Sequence, residues 1–221
     1  IFGVNVEENA TGYFIPQGAE FTTPTELYAE GDWSSASFWI VAGCIGNAPI
    51  RCNGIDYDHS VQGDRKVIDV LRSMGANIET GNGYVIAHPS TLRGVETDCS
   101  NIPDAVPILS VAAAMASSST TFHGIERLRL KESDRVETTM RMLQSFGIQC
   151  SATNSSITVY PGKPVGGFVD SAADHRIAAS AAIMATVAEG FTTINNMDCI
   201  SKSYPDFCKD FANLGGKLET E

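Results

Sequence analysis

The chain contains an internal repeat of about seventy residues, which constrains its fold more than any other feature. An aspartate opens an alanine- and serine-rich run three times, with spacings of 72 and 70 residues, at Asp32, Asp104 and Asp174. A second aspartate follows each run, with spacings of 70 and 72 residues, at Asp64, Asp134 and Asp206. Two independent markers with one period indicate three homologous units.

Each unit has the same predicted order of elements. The alanine- and serine-rich run predicts a helix that the leading aspartate can cap through its carboxylate. A β-branched strand follows, as in 120–125 and 191–197, and then an amphipathic helix, in which Val67, Val70, Leu71 and Met74 share one face. This second helix is predicted to stop at a glycine, Gly75, Gly147 or Gly215. Alternating strands at 84–89 and 156–162 close the first two units.

The alanine- and serine-rich helices are too apolar to face solvent on any side. We therefore expect one α/β domain over residues 32–221, with three repeated units that place helices inside and sheets outside. The approximate units are 32–103, 104–173 and 174–221. An ordinary layered α/β domain is the alternative. Residues 1–31 lie outside the repeat and are interpreted as strands of a preceding domain, because the sequence begins at Ile1 inside a strand-like segment and is expected to be part of a longer protein.

Composition excludes several classes of protein. The 221 residues are 43% hydrophobic and 19% charged, which argues against disordered, collagen-like and coiled-coil chains. The net charge of −11 makes nucleic acid a poor partner, and the longest apolar run, 108–116, is too short to cross a membrane. The six cysteines form no CxxC motif and the four histidines form no ligand pair. We therefore expect buried free thiols, no metal site and a cytoplasmic location.

Basic residues concentrate in one segment of this acidic chain. Residues 127–141 hold five of the fifteen lysines and arginines: Arg127, Arg129, Lys131, Arg135 and Arg141. If the helix has begun at Lys131, that residue and Arg135 share a face. A solvated helix with alternating salt bridges would also explain the segment. Two isolated bases, Arg176 and Lys202, favour a binding site instead, because an arginine at the start of an apolar helix suits an anion.

The repeat predicts where these charges meet. Asp104 and Asp174 open equivalent helices, and KESDR and SKSYPD are equivalent approaches to the second helices. Pseudo-threefold symmetry would bring these segments together at one end of the domain. The resulting site would be basic with carboxylates beside it, which suits a small polyanionic substrate and acid–base chemistry.

Four segments now carry a family resemblance: NIPDA (101–105), LRLKESDR (128–135), ADHRIA (173–178) and SKSYPDF (201–207). Together with GDWSSASFW (31–39), their order and spacing resemble the 5-enolpyruvylshikimate-3-phosphate synthase family. The resemblance covers the whole chain. It implies that residues 1–31 are the tail of the N-terminal domain and the crossover, and that residues 32–221 are the C-terminal domain, an inside-out α/β barrel.

The resemblance also implies the activity. The family transfers the enolpyruvyl group of phosphoenolpyruvate to the 5-hydroxyl of shikimate 3-phosphate through a tetrahedral intermediate and releases phosphate. It uses neither a metal nor an organic cofactor, and it binds both substrates in the cleft between two domains. This chain would hold about half of that site, so we expect it to be inactive without the N-terminal domain and the complete protein to be a monomer.

Residue roles follow from the resemblance position by position. Asp104 matches the proton acceptor, which also touches the shikimate moiety, and Glu132 matches the proton donor to the enolpyruvyl methylene. Lys131 matches a shikimate-3-phosphate contact. The matches to phosphoenolpyruvate contacts are Arg135, Arg176 and Lys202, flanked by the supporting residues Asp174 and His175. Arg127 is assigned to shikimate 3-phosphate, although many members carry a polar residue such as asparagine there.

Two other readings stay open. The UDP-N-acetylglucosamine enolpyruvyl transferases share the architecture and the chemistry, but the DHR and KESDR motifs favour the shikimate enzyme. The second alternative is a protein that is not an enzyme by itself, namely a catalytically silent binding or scaffold domain. This alternative includes a segment of a multifunctional shikimate-pathway polypeptide. Intact Asp104, Glu132 and Arg135 argue against a silent site, and they do not separate a free enzyme from a fusion.

Overall fold

The protein is described from a computed structural model that covers residues 2–219. These residues form two compact units, which divide between Glu30 and Gly31. The first holds an antiparallel ribbon of β1 (Glu7–Asn9) and β2 (Gly12–Phe14). None of the helices within residues 2–219 combines the length and apolarity that a bilayer crossing requires.

The second unit contains six α-helices and nine short strands within its described residues. The helices are α1 (Trp33–Ile45), α2 (Val67–Ser73), α3 (Val106–Ala114), α4 (Arg135–Ser145), α5 (His175–Ala185) and α6 (Phe207–Asn213). The strands are β3 (Ile50–Asn53), β4 (Asn77–Gly81), β5 (Tyr84–His88), β6 (Glu96–Asp98), β7 (Thr120–His123), β8 (Cys150–Ala152), β9 (Ser156–Val159), β10 (Phe168–Val169) and β11 (Thr193–Ile194).

Strands β3 to β11 form three sheets. The first sheet has the antiparallel order β3-β5-β4, in which Ile50 pairs with Ala87. The second has the order β6-β7-β9-β8, with β6 and β7 parallel. The third is the parallel pair β10-β11. These sheets flank three helices, because β3 and β5 pack on α1, β9 packs on α3 and β11 packs on α5.

The alanine- and serine-rich helices form the interior of the larger compact unit, which begins at Gly31. Helices α1, α3 and α5 pack against one another, and all nine residues of α3 are buried. Since small side chains let helix axes approach closely, three such helices can share one core. The predicted arrangement of helices inside and sheets outside is confirmed.

The amphipathic helices also end and pack as predicted. Gly75, Gly147 and Gly215, which follow α2, α4 and α6, have φ values of 93°, 76° and 95°. This left-handed conformation is unfavourable for residues with a Cβ atom, so glycine is the residue that ends a helix here. On α2, Val67 and Leu71 are fully buried, which confirms the apolar face.

The leading aspartates differ from one another, and the prediction that Asp104 caps a helix is wrong. Asp32 caps α1 by accepting hydrogen bonds from the backbone of Ser34 and Ser35. Asp104 instead lies in a short 3₁₀ helix, Pro103–Ala105, and α3 begins afterwards with Ala105 at its cap position. The 3₁₀ turn moves the Asp104 carboxylate away from the first amides of α3, which leaves it available for other partners.

The six cysteines are free thiols, as predicted, but only Cys44 and Cys99 are fully buried. Cys208 is exposed, and Cys52, Cys150 and Cys199 are half-buried. The expectation of uniformly buried thiols is therefore wrong.

Candidate active site

Charged side chains from the second and third repeated units meet where α3, α4 and α5 begin. Asp104 precedes α3, Arg135 is the first residue of α4, and Arg176 is the second residue of α5. Lys202 comes from the 3₁₀ helix Met197–Lys202, which packs on α5. We call this set of residues the acid–base cluster. Its members are Asp104, Lys131, Glu132, Arg135, Asp174, Arg176 and Lys202.

Arg135 lies at the centre of the acid–base cluster and is only 1% exposed. Its guanidinium donates from Nε to Asp174 Oδ2 at 2.8 Å, from Nη1 to Asp104 Oδ1 at 2.6 Å and from Nη2 to Glu132 Oε2 at 2.5 Å. A buried cation requires such compensation, because its desolvation is costly. The planar fork of donors lets one arginine hold three carboxylates in fixed positions.

Asp104 is surrounded by cations. Besides Arg135, Lys131 Nζ lies 3.1 Å from Oδ1 of Asp104, and Arg176 Nη2 lies 3.8 Å from Oδ2. Arg176 Nη1 also donates to the backbone carbonyl of Asp104 at 3.4 Å. Burial alone would raise the pKa of Asp104, but Arg176, Lys131 and Arg135 outweigh it and lower the pKa below its ordinary value. The carboxylate is therefore ionised at neutral pH, as a proton acceptor must be.

Glu132 connects the buried part of the cluster to its exposed edge. It accepts hydrogen bonds from Arg135 and, through Oε1, from Lys202 Nζ at 3.2 Å. Partial burial opposes ionisation, yet the bonds that Glu132 accepts and the two cations lower its pKa to about 2. Lys202 is 65% exposed, so this ion pair is open to exchange with a ligand anion.

Asp174 is fully buried and holds the start of α5. Its Oδ1 accepts the backbone N–H of Arg176 at 3.0 Å, while its Oδ2 accepts from Arg135 and from the hydroxyl of Ser133 at 2.9 Å. One carboxylate thus caps α5 and orients the central arginine. His175 next to it has a lowered pKa because of burial and the nearby Arg176, so its imidazole is neutral at pH 7.

Within residues 2–219, Lys131 reaches the cluster from a loop rather than from a helix, and Arg127 makes no polar contact with the cluster. Lys131 and Arg135 do not share a helix face, because Asp134 caps α4 and the helix begins only at Arg135. Both side chains instead contact Asp104, Lys131 from the loop before α4 and Arg135 from α4 itself. Arg127 is exposed and, within residues 2–219, takes no part in an ion pair or side-chain hydrogen bond.

Two features of the site escape sequence reasoning. Ser133 lies inside the KESDR motif, where only its charged neighbours attract attention, yet it bonds Asp174 and contacts the hydroxyl of Thr138 at 3.0 Å. Ala172 and Ala173, just before Asp174, adopt left-handed φ values of 52° and 54°. Alanine carries no signal for this conformation, which glycine or asparagine would have indicated.

The arrangement has a definite chemical capacity. Four cations face three carboxylates, in a chain whose net charge is −11. The carboxylates keep the cations in place, and an incoming anion can take over bonds to Arg176 and Lys202. An ionised aspartate among such cations can accept a proton from a bound hydroxyl.

Comparison with known proteins agrees with this geometry. A model of the EPSP synthase (3-phosphoshikimate 1-carboxyvinyltransferase) family matches residues 1–211. The 3-phosphoshikimate 1-carboxyvinyltransferases of Clostridium novyi (strain NT) and Dehalococcoides mccartyi are 37% and 36% identical over 219 and 217 residues, 99% and 98% of this chain. These alignments cover 50% and 51% of the relatives, so the chain spans about half the length of the curated relatives it matches.

The fold comparison gives the same result. A solved structure of EPSP synthase from Acinetobacter baumannii superimposes with a TM-score of 0.85 and 28% identity, over 97% of this chain and 52% of that one. The family match over residues 1–211 covers nearly all of the sequence, including every member of the acid–base cluster. The chain therefore belongs to the EPSP synthase (3-phosphoshikimate 1-carboxyvinyltransferase) family.

Proposed function

We propose that this chain is the C-terminal portion of an enzyme that transfers the enolpyruvyl group of phosphoenolpyruvate to the 5-hydroxyl of shikimate 3-phosphate. The observation that carries the proposal is the ionised Asp104 carboxylate, held among Lys131, Arg135 and Arg176. Such a site binds anionic substrates and removes a proton from a hydroxyl. The family match and the relatives' names supply the identity of the substrates.

Asp104 is proposed as the proton acceptor. When the 5-hydroxyl oxygen bonds to C2 of phosphoenolpyruvate, its proton passes to the Asp104 carboxylate and C3 takes up another proton, giving a tetrahedral intermediate. Loss of a proton from C3 and of phosphate from C2 then restores the double bond in the product. Asp104 is 27% exposed, so its oxygens are accessible to a bound substrate.

Phosphoenolpyruvate is proposed to bind Arg176 and Lys202, with Arg135 behind them. Arg176 is 13% exposed and Lys202 is 65% exposed, whereas Arg135 is 1% exposed and saturated by carboxylates. The first two can therefore bind directly, and Arg135 acts on the ligand only if a carboxylate yields one of its donors. This proposed order of ligand binding follows from the ion pairs of Arg135, which the sequence alone does not indicate.

Glu132 is proposed as the proton donor to the enolpyruvyl methylene, and the ion pairs impose a condition on that role. With a pKa of about 2 it carries no proton at neutral pH. An anion that takes over Lys202 and draws on Arg135 removes the two cations that hold this pKa down. Binding of phosphoenolpyruvate would thus prepare Glu132 to take up the proton that it later donates.

The remaining contacts follow the same scheme. Lys131 is proposed to bind shikimate 3-phosphate beside Asp104, and Arg127 is proposed as a further contact with the same substrate. Asp174 and His175 support the site, since the former caps α5 and the latter stays neutral. We also propose that residues 1–31 belong to the other domain and the crossover, that the missing domain supplies the remaining ligands, and that the complete protein is a cytoplasmic monomer without a metal or organic cofactor.

The test compares the complete protein with this chain alone. Phosphate release from phosphoenolpyruvate should require shikimate 3-phosphate and should not occur with UDP-N-acetylglucosamine as the acceptor. The isolated chain should fold and show no turnover, because the ligands proposed for the other domain are absent. Turnover with the nucleotide sugar would favour the rival transferase. A folded complete protein without turnover on either acceptor would favour the silent binding domain.

A further inference from the structure

The hydroxyl of Tyr204 lies at the centre of a hydrogen-bond chain outside the acid–base cluster. It accepts a hydrogen bond from Nε1 of Trp39 at 2.9 Å and donates one to Oδ2 of Asp210 at 2.6 Å. Burial, together with the bond to Asp210, raises the pKa of Tyr204 to about 12. The hydroxyl therefore keeps its proton, and both of its hydrogen bonds have a fixed direction.

The ring of Tyr204 joins the third repeated unit to the first. Trp39 lies on α1 and is 7% exposed, and its ring stacks on Phe207 with centroids 5.1 Å apart. Tyr204 meets Phe207 edge-on at 5.7 Å. An aromatic cluster of this kind is rigid, because each ring is fixed by its neighbours. Tyr204 is thus anchored to the buried core rather than to the surface.

The anchored turn is the one that carries Lys202. The backbone amides of Ser203 and Tyr204 both donate to the carbonyl of Ile200, at 3.1 and 2.8 Å, and Ile200 is 3% exposed. The chain from Ile200 to Tyr204 is therefore a tight turn held at both ends. Lys202 lies within it and points out of the core, where its amine bonds Glu132. The direction of this exposed side chain comes from the turn, since it has little packing of its own.

The repeat places comparable bonds at the equivalent positions. Two residues before each second aspartate stands a side chain that ties down the approach to the helix: Gln62, Glu132 and Tyr204. Gln62 bonds the backbone of Gly31 and Trp33, and Glu132 bonds Lys202 of the next unit. Tyr204 bonds Trp39 and so connects the last unit back to the first.

We propose that Tyr204 is a positioning residue that directs Lys202 toward Glu132, with Trp39 and Asp210 fixing its hydroxyl. The inference rests on the proposed function, in which Lys202 binds phosphoenolpyruvate. Without the hydroxyl, the turn keeps its ring packing and loses its two polar anchors. Lys202 then samples other directions, and the anion site loses one of its preformed cations.

The test uses Tyr204→Phe in the complete protein, with two readouts. The first is the rate of reductive methylation of Lys202, followed by peptide mass spectrometry; Glu132→Gln sets the rate for an amine freed from its pair. Loss of two hydrogen bonds should raise the Lys202 rate roughly 3- to 10-fold, toward that limit. The second readout is the KM for phosphoenolpyruvate, which should rise by a similar factor with the KM for shikimate 3-phosphate unchanged.

Tyr160→Phe is the matched control, because Tyr160 is 43% exposed and its hydroxyl has no hydrogen-bond partner within residues 2–219. It should change neither readout. Asp210→Asn keeps an acceptor oxygen for the Tyr204 hydroxyl and should therefore retain most of the Lys202 protection. A lower melting temperature in Tyr204→Phe with unchanged Lys202 methylation and KM would overturn the inference. If the complete protein proves inactive, the proposed function fails, and the methylation rates still decide whether Tyr204 positions Lys202.

Discussion

Arg135 Nη1 donates to Oδ1 of Asp104 at 2.6 Å, across 31 residues of sequence. The pair joins the approach to α3 with the first residue of α4, and Asp174 extends it to α5 at 2.8 Å. One buried guanidinium therefore fixes the relative positions of two carboxylates with different tasks. Asp174 caps α5, whereas Asp104 caps no helix and is 27% exposed.

The pair leads to a prediction for Asp104→Asn in the complete protein. An amide cannot accept the hydroxyl proton, and loss of general base catalysis typically lowers turnover by a factor of about 10²–10⁴. Turnover at saturating substrates should fall by that amount. The melting temperature should fall too, because Arg135 and Lys131 lose a charged partner.

Asp32→Asn is the control for this variant. Asp32 caps α1 through Ser34 and Ser35, and asparagine caps about as well as aspartate. Turnover and melting temperature should both stay near those of the unaltered protein. Equal turnover in the two variants would exclude Asp104 as the base and move the assignment to another residue.

A second prediction concerns stability in acid. The pKa of Glu132 is lowered to about 2 from an ordinary value of 4.5, so its ion pairs stabilise the fold above pH 4.5. That contribution is lost as the pH falls from 4.5 through 2. Glu132→Gln should therefore have a lower melting temperature than the unaltered protein at neutral pH, and the difference should shrink over this window. Melting followed by circular dichroism from pH 7 to pH 2 measures it.

Glu137→Gln is the matched control for the acid experiment. Glu137 pairs with Arg141 on the surface of α4, where side-chain exposures of 55% and 66% leave the pair screened by water. Its removal should leave the pH dependence of stability nearly unchanged. A constant difference between Glu132→Gln and the unaltered protein across the window would contradict the role given to Lys202 and Arg135.

A third prediction comes from the backbone before Asp174. Ala173 has a φ of 54°, a left-handed conformation that costs a residue with a Cβ atom about 1–2 kcal/mol. Ala173→Gly removes this cost and adds a smaller one in the unfolded chain, so unfolding free energy should rise by about 0.5–1 kcal/mol. Denaturant midpoints at constant m value measure the change.

Ala181→Gly makes the same substitution inside α5, where Ala181 is fully buried and helical. Here glycine should lower the unfolding free energy by about 1 kcal/mol or more. Opposite signs for the two variants would identify the left-handed turn as the cause. Destabilisation by Ala173→Gly would mean that the turn carries no strain.

The order of elements can be predicted from the sequence because the same pattern of residues occurs three times. The interior helices follow from composition and the helix stops from Gly75, Gly147 and Gly215, whose conformation depends on local residues alone. The position of a helix N-cap is harder to predict from the sequence. The 3₁₀ turn at Pro103–Ala105 separates Asp104 from α3, and no periodicity in the sequence marks it.

The candidate site is predictable as a set of residues and not as a set of bonds. Sequence motifs bring together Asp104, Glu132 and Arg135, but they do not indicate that Arg135 is buried and occupied by three carboxylates. That arrangement depends on packing between α3, α4 and α5, which a single sequence does not specify. The exposures of Arg176 and Lys202, on which the proposed order of ligand access rests, are not indicated by the sequence.

This order of access yields the last prediction, for Arg176→Lys in the complete protein. Lysine keeps the charge and loses the forked donors that hold both the carbonyl and the carboxylate of Asp104. If Arg176 binds phosphoenolpyruvate with two charged hydrogen bonds, losing one should raise its KM roughly 10- to 100-fold. The KM for shikimate 3-phosphate should change much less.

Arg129→Lys serves as the comparison, because Arg129 bonds the Asp134 cap at 3.0 Å and the carbonyl of Thr153 at 2.9 Å. Its loss should lower the melting temperature and leave the KM for phosphoenolpyruvate unchanged, since neither partner belongs to the acid–base cluster. Steady-state kinetics with one substrate varied at a time, together with thermal melts, separates the two patterns. If Arg176→Lys instead behaves like Arg129→Lys, Arg176 is a structural residue and the phosphoenolpyruvate site must be built around Lys202 without it.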